Sequence, residues 1–313
     1  MKCLVSGATG FIGRQLCQQL VARGDTLIAL SHSGGELSGG ISTHAVDLTE
    51  TSIPDEYLVG VDVVYHLAGV AHQHAAPEAY QQLNHQATEN IAHQAAAAGV
   101  RCFIFLSSVK AMGPASSAAA RGELECTIPD DPYGASKWNA ECALREQFAG
   151  GDMSVVILRP ALVYGNQAKG NLRLLARAVR WGLPRPPGQG ARSMLALPDL
   201  VALLCLLGDR QPPGVSTWIA CEHDGYSTRT VYDLLRGAAG KGSGRSWLPL
   251  WGWRMIARLL DWLSRQSRGS SYEKLFGTEL YSSQALLTAT GWAPQYKLQQ
   301  VLCSDASVGD KQA

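Results

Sequence analysis

The stretch Gly7-Ala8-Thr9-Gly10-Phe11-Ile12-Gly13 limits what this chain can fold into more than any other. It follows a short apolar run, Cys3 to Ser6, and leads into Phe11 to Arg23, a segment of helical length and composition. Glycines at this spacing between a strand and a helix permit a tight turn and a close approach of backbone amides to a pyrophosphate. The start of the helix then points its positive end at that phosphate. A turn that binds nothing is the plain alternative, but the place of the motif at the head of a strand and helix alternation favours a dinucleotide.

That alternation continues. Thr26 to Leu30, Val61 to His66 and Cys102 to Leu106 read as buried strands, Pro77 to Ala98 and Pro132 to Phe148 read as helices, and Gly24 and Gly99 sit where helix stops are expected. Short, wholly apolar runs joined by helices predict a parallel sheet covered on both faces. The expectation is a Rossmann-type, doubly wound α/β domain over residues 1–160, with later segments returning to it. A smaller α/β substrate domain is expected mainly over 161–303, where Gly- and Pro-containing stretches loosen the pattern, followed by a frayed polar tail at 304–313.

Composition narrows the class. Twenty-seven Lys+Arg against 26 Asp+Glu argue against electrostatic binding to nucleic acid or a membrane surface, and 46% hydrophobic residues suffice for a sizeable core. The eight cysteines are dispersed and form no C-x-x-C, which suits reduced thiols in the cytoplasm. No signal-peptide pattern precedes the glycine motif. The most apolar later stretch, Trp247 to Leu263, is interrupted by Arg254, Arg258 and Asp261, so no integral membrane segment is expected. It reads as an amphipathic helix of the smaller domain, although its tryptophans and arginines also suit a membrane surface. Trp247, Trp251, Trp253 and Trp262 are read as aromatic packing within that domain, with ligand stacking as the alternative.

The second strand bears on the cofactor. An acid at its end would hold the adenosine 2′-hydroxyl and repel a 2′-phosphate, yet Leu30-Ser31-His32-Ser33 stand there and the first acid is Glu36. NADP(H) is therefore favoured, with NAD(H) as the alternative. Arg14 could pair with the extra phosphate or simply be an exposed helix residue. Asp47-Leu48 could set a carboxylate against the adenine amino group, or Asp47 could form a turn.

Chemistry enters with Tyr133-Gly134-Ala135-Ser136-Lys137 after Asp130-Asp131-Pro132, where Asp131 suits a helix cap and Pro132 its first position. Tyr133 and Lys137 share a helical face, so the ammonium and the helix N-terminus are expected to lower the phenol from about 10 towards neutrality. A tyrosine so tuned exchanges a proton with a sugar hydroxyl or carbonyl. Ser107-Ser108 end a strand at the edge where open α/β sheets bind ligands, which places Ser108 to hydrogen-bond the same oxygen. His66, His72 and His74 invite a metal, but no paired carboxylate or cysteine completes a tetrahedral set, and none is expected.

These pieces together resemble an extended short-chain dehydrogenase/reductase of the NAD-dependent epimerase/dehydratase family. The resemblance spans nearly the whole chain and rests on Gly7 to Gly13, His66-Leu67-Ala68-Gly69, Asn84, Ser107-Ser108, Tyr133 with Lys137, and Leu158-Arg159-Pro160 leading into Val163-Tyr164-Gly165. It implies that Ser108, Tyr133 and Lys137 are the catalytic set, that Lys137 also holds the nicotinamide ribose, and that Leu67, Ala68, Gly69 and Pro160 line the cofactor. Nucleotide-sugar members place a diphosphate between the domains, where Gly170-Asn171-Leu172 and Arg192-Ser193 match, so Asn171 and Arg192 are implied substrate contacts. Many relatives are homodimers, which Pro77 to Ala98 and Pro132 to Phe148 would form here.

Within the family the likeness is greatest to bacterial 4-ketoreductases and 4-epimerases of UDP-N-acetylhexosamines, carried by Ser107 to Lys110, Pro132 to Trp138, Lys169 to Asn171 and Arg192 to Val201. Met112 departs from a tyrosine common among relatives. The Thr-Asp-Glu run of the family's dehydratases is replaced by Ser108-Val109-Lys110, which disfavours elimination of water and leaves Lys110 as a substrate contact or a solvated loop residue. The leading expectation is NADPH-dependent reduction at C4 of a UDP-4-keto-6-deoxy-N-acetylhexosamine. An NAD-dependent UDP-sugar 4-epimerase is the alternative, and a dinucleotide-binding regulator without catalysis is a third reading.

Overall fold

The computed structural model describes residues 1–50, 52–71, 76–165, 171–263 and 270–302. Chain order begins β1 (Lys2–Ser6), α1 (Phe11–Ala22), β2 (Thr26–Ser31), β3 (Gly35–Leu37), β4 (Ile41–Ala45), α2 (Asp55–Leu58) and β5 (Val63–His66). Next come α3 (Pro77–Tyr80), a π-helical turn at Gln81–Gln86, α4 (Ala87–Ala97), β6 (Cys102–Leu106), a 3-10 turn at Val109–Met112, α5 (Pro132–Phe148) and β7 (Ser154–Pro160). The remainder is β8 (Leu162–Tyr164), α6 (Asn171–Arg180), β9 (Arg192–Ala196), α7 (Leu197–Arg210), β10 (Val215–Ala220), β11 (Gly225–Tyr226), α8 (Thr228–Ala238), α9 (Leu250–Leu263), α10 (Ser270–Phe276) and α11 (Gln284–Thr290).

Among the described residues, eight strands form one sheet in the order β10-β7-β6-β5-β1-β2-β4-β3. All its neighbours run parallel except β3 and β4. The apolar strand runs have a simple cause, since successive side chains enter cores on opposite faces. Cys3, Val5, Tyr65 and Ile104 pack with Leu16 and Leu20 of α1 and Leu203 and Leu207 of α7. Leu4, Val64, Phe103 and Phe105 pack with Ile91 and Ala95 of α4 and Leu144 and Phe148 of α5. This is the doubly wound Rossmann-type sheet expected from the sequence. A smaller sheet, β11-β9-β8, stands beside it, while β10 returns to the edge of the large sheet next to β7.

The expected helix from Pro77 to Ala98 is present as one run of helical backbone, α3, a π-helical turn and α4, and the π turn contains the fully buried Asn84. Such a turn shifts the helical register and re-aims a side chain. Asn84 uses this position to grip the loop after β5: its amide accepts from Val70 N at 2.8 Å and donates to Val70 O at 3.0 Å. The expected frayed tail and the histidines His72 and His74 lie outside the described residues.

Candidate active site

The carboxyl ends of β1, β5, β6 and β7 form one edge, with Ser6 beside His66, His66 beside Phe105, and Leu106 beside Leu158. Gly7 follows β1 with φ +71°, a conformation that favours glycine, and a Cβ there would lie 2.7 Å from Ala68 N. A Cβ on Gly13 would come 2.2 Å from Gly7 O, so the helix can approach the turn this closely only without a side chain. Gly10 caps α1 with extended backbone and supplies no side-chain acceptor to the first amides. Those amides, Thr9 and the half-buried Phe11 and Ile12 form a cradle suited to a pyrophosphate, so the residues present fit a dinucleotide.

The adenine end has its own geometry. Ser31 is buried and bonded to Thr43 Oγ1 at 3.0 Å, while His32 is exposed, 3.5 Å from the Asp47 carboxylate. Glu36 lies on the exposed side of the hairpin strand β3, and Arg14 is exposed on α1. Asp47 accepts from Thr49 N at 2.9 Å and Thr49 Oγ1 at 2.6 Å; these bonds hold its carboxyl below the usual range and give it the turn-forming role. Leu48 beside it is half-buried against the core behind the sheet. Leu67 and Ala68 are fixed to β1 through Ser6 O and Ser6 Oγ, and Pro160 ends β7.

Ser108 and Tyr133 meet at the same edge. Asp131 caps α5 by accepting from Gly134 N at 2.9 Å, with Pro132 in the first turn, as the sequence implied. Ser108 caps the 3-10 turn, accepting from Lys110 N at 3.2 Å, and its hydroxyl is close enough to the Tyr133 phenol to favour the ionised form. Lys137 is buried on the same face of α5. Its ammonium, however, donates to Leu106 O at 2.9 Å and lies 4.5 Å from the Phe105 ring centroid.

The expected fall of the Tyr133 pKa is therefore corrected. Burial pushes the phenol up to about 12, only partly opposed by the Ser108 hydroxyl, and Asp131 and Tyr80 act in the same direction as burial. Burial also draws Lys137 down to about 7, against the nearby Glu141 charge. In the chain by itself, desolvation outweighs the attraction on which the sequence argument relied.

Glu141, not singled out from the sequence, lies one turn beyond Lys137 and is fully buried. It accepts from Ser107 Oγ at 2.5 Å, from Arg159 Nε and Nη2 at 2.9 and 2.6 Å, and from Arg145 Nη2 at 2.5 Å. The hub ties β6, α5 and β7 together under the catalytic pair. Its signal was available, because a carboxylate four residues after Lys137 shares its face.

His66 is a structural residue. It is fully buried, 2.7 Å from Ser6 Oγ and 3.0 Å from Thr88 Oγ1, and burial holds it neutral with a pKa of about 3. Among the described residues no cluster of His, Cys, Asp and Glu could hold a metal.

On the substrate side, Lys110 and Arg192 converge on Glu279, which the sequence reading missed. Lys110 Nζ donates to Oε1 at 2.8 Å and Arg192 Nη1 to Oε2 at 2.9 Å. Burial opposes ionisation of Glu279, yet these two cations hold its carboxyl below the usual range. Arg192 Nη2 also donates to Glu273 O, while its Nε is buried without a partner. Asn171 begins α6, but its side chain lies outside the described residues, as do Lys169 and Gly170.

This arrangement of cradle, catalytic pair and parallel sheet defines the class. The profile of the NAD dependent epimerase/dehydratase family matches residues 3–207, and the chain belongs to that family. It is an extended short-chain dehydrogenase/reductase and an NAD(P)-dependent enzyme. Among particular proteins, it is 29% identical to a UDP-glucose 4-epimerase of Vibrio cholerae over 308 residues, 95% of this chain and 92% of that protein. It is 30% identical over 214 residues to an N-acetyl-alpha-D-glucosaminyl-diphospho-ditrans,octacis-undecaprenol 4-epimerase of Escherichia coli O157:H7, covering 64% of this chain and 61% of that one. In fold it matches the UDP-glucuronic acid 4-epimerase of Bacillus cereus in complex with NAD, with a TM-score of 0.78 and 19% identity over 99% of both chains.

Proposed function

We propose that the enzyme reduces the C4 carbonyl of a UDP-4-keto-6-deoxy-N-acetylhexosamine, using NADPH. The observation that carries this reading is the placing of Ser108 and Tyr133 together at the sheet edge, where burial favours the protonated phenol. A protonated phenol is the form that a reduction needs. A bound nicotinamide supplies the hydride; Tyr133 gives its proton to the C4 oxygen, Ser108 orients that oxygen, and Lys137 holds the ribose and replenishes positive charge near the phenolate. NADPH is supported by the end of β2, where Ser31 and His32 stand in place of a carboxylate, and by Arg14, exposed on α1 just past the glycine turn. Lys110, Arg192 and Asn171 are proposed contacts to the diphosphate side of the substrate.

The second reading, a UDP-sugar 4-epimerase with NAD, is favoured by the likeness to a UDP-glucose 4-epimerase over 95% of this chain. It needs the phenol to begin as a base, so cofactor and substrate would have to lower its pKa well below its value in the chain alone. A regulator without catalysis is disfavoured by the intact Ser108, Tyr133 and Lys137. Our reading includes a substrate-side domain built mainly from residues 161–303, a cytoplasmic setting, and a homodimer paired through α4 and α5, which pack side by side.

The test offers purified enzyme the keto sugar with NADPH and, separately, UDP-N-acetylglucosamine with NAD. Oxidation of NADPH only with the keto sugar supports the reductase; formation of the C4 isomer without added reductant supports the epimerase instead. Tyr133→Phe should lower turnover by about 10²–10⁴-fold while dinucleotide affinity is retained. Undiminished turnover would remove the catalytic assignment in both readings.

A further inference from the structure

The helix α9 has a face that the family reaction does not use. Trp253, Ala257 and Asp261 are buried, and Trp253 meets Phe276 of α10 edge-on at 5.8 Å while Asp261 accepts from Ser271 N at 2.7 Å. On the other side, Trp251, Met255, Leu259 and Trp262 are 65%, 60%, 55% and 76% exposed. Their spacing of four, four and three residues puts them in one stripe along the helix. Of the aromatic packing expected for this segment, only Trp253 therefore takes part; Trp247, Trp251 and Trp262 face solvent.

The charge around the stripe is mainly basic, with Glu273 of α10 the exposed acid among the described residues of 237–274. Arg258 lies within it and Arg254 on its flank, the latter over the Tyr272 ring at 5.7 Å, and both are exposed. The helix's acid, Asp261, points inward. In the preceding loop Trp247 is also exposed, and that loop is tied to the end of α6 and the segment after it, where Arg245 O accepts from Arg185 N and Lys241 Nζ donates to Arg180 O. Residues 237–274 hold seven Lys or Arg against only Asp261 and Glu273, in a chain whose formal charge is +1.

We infer that α9 lies flat on an anionic lipid bilayer, with Trp251, Met255, Leu259 and Trp262 at the level of the headgroups and first methylenes and the arginines on lipid phosphates. Tryptophan and arginine on one helix face suit this boundary, where a ring has both an apolar and a wet neighbour. Among the described residues no helix is long and apolar enough to cross a membrane, so the contact is with the surface. A second copy of the chain is a poorer occupant, because a two-fold pairing of this face would bring arginines together with no acid opposite them. The inference is independent of which nucleotide sugar the enzyme takes.

The experiment is flotation of the full-length protein with vesicles of phosphatidylcholine alone or mixed equally with phosphatidylglycerol. We expect co-flotation with the mixed vesicles, weaker by at least about tenfold with phosphatidylcholine alone and in a Trp251→Ser, Leu259→Ser, Trp262→Ser variant. Arg254→Gln with Arg258→Gln should lose the preference for phosphatidylglycerol. Turnover without vesicles should be unchanged in all variants. If the triple variant does not fold, Trp262→Ser alone serves, read as reduced quenching of tryptophan emission by lipids brominated near the headgroup. No flotation of the wild-type protein, equal flotation of the variants, or a wild-type dimer that the triple variant abolishes would overturn the inference.

Discussion

Lys137 and Arg192, two cations proposed to serve one substrate, are held in opposite ways. Lys137 is enclosed by the large sheet, with its ammonium on a backbone carbonyl and an aromatic ring, and the Glu141–Arg159 pair locked beneath it. Arg192 belongs to the smaller sheet and shares a single half-exposed carboxylate with Lys110. The first region is braced by parallel strands buried on both faces, so its polar groups are satisfied inside and their protonation is set by desolvation. The second is joined by ion pairs near solvent, where charges rearrange at little cost. On the proposed function, the groups that must keep position sit in the first region, and those that must release and recapture an anionic substrate sit in the second.

The largest effect should come from breaking the brace. Glu141→Ala leaves Arg159 buried without its carboxylate and should destabilise the protein by about 3–5 kcal/mol, measured by urea unfolding. A loss below 1 kcal/mol would mean that the hub is not what holds β6, α5 and β7 in register. Gly13→Ala places a methyl against Gly7 O and should weaken dinucleotide binding at least about tenfold, read by fluorescence titration, with stability reduced less than in Glu141→Ala.

A pH test addresses the desolvated ammonium. The folded-state pKa of Lys137, about 7, lies below its unfolded value near 10.5, so the unfolded chain binds more protons between these limits. This group's contribution thus makes the protein more stable as pH rises from about 7 towards 10, and Lys137→Met should remove part of that rise between pH 7 and 9. Equal pH slopes for the two proteins would contradict the burial argument. The smallest effect belongs to the seam: Glu279→Gln frees Lys110 and Arg192 for phosphate and should lower KM by up to about fivefold, with kcat unchanged. A higher KM would show that Glu279 orients these cations rather than competing for them.

Much of the first region was legible in the sequence because its determinants are local. The glycine turn, the Asp131 cap and the shared face of Tyr133 and Lys137 each depend on residues within about one helical turn of one another. The change of register after Tyr80 was not legible, since nothing in Gln81–Gln86 announces a π-helical turn; it occurs where Asn84 meets the Val70 backbone across the fold. Asp47 was read both as an adenine contact and as a turn former, and Thr49, two residues away, engages one oxygen of its carboxylate in a turn.

The sequence determined where the chain turns, which runs become strands buried on both faces, and that Tyr133 and Lys137 share a helical face, because backbone conformation and hydrophobic periodicity are set by near neighbours. Only the tertiary structure decided that Lys110 and Arg192 share Glu279, a residue 169 positions from Lys110, and that the phenol of Tyr133 rises rather than falls in pKa. Coulombic attraction and desolvation depend on which distant groups exclude water around a charge, and no spacing along the chain encodes that.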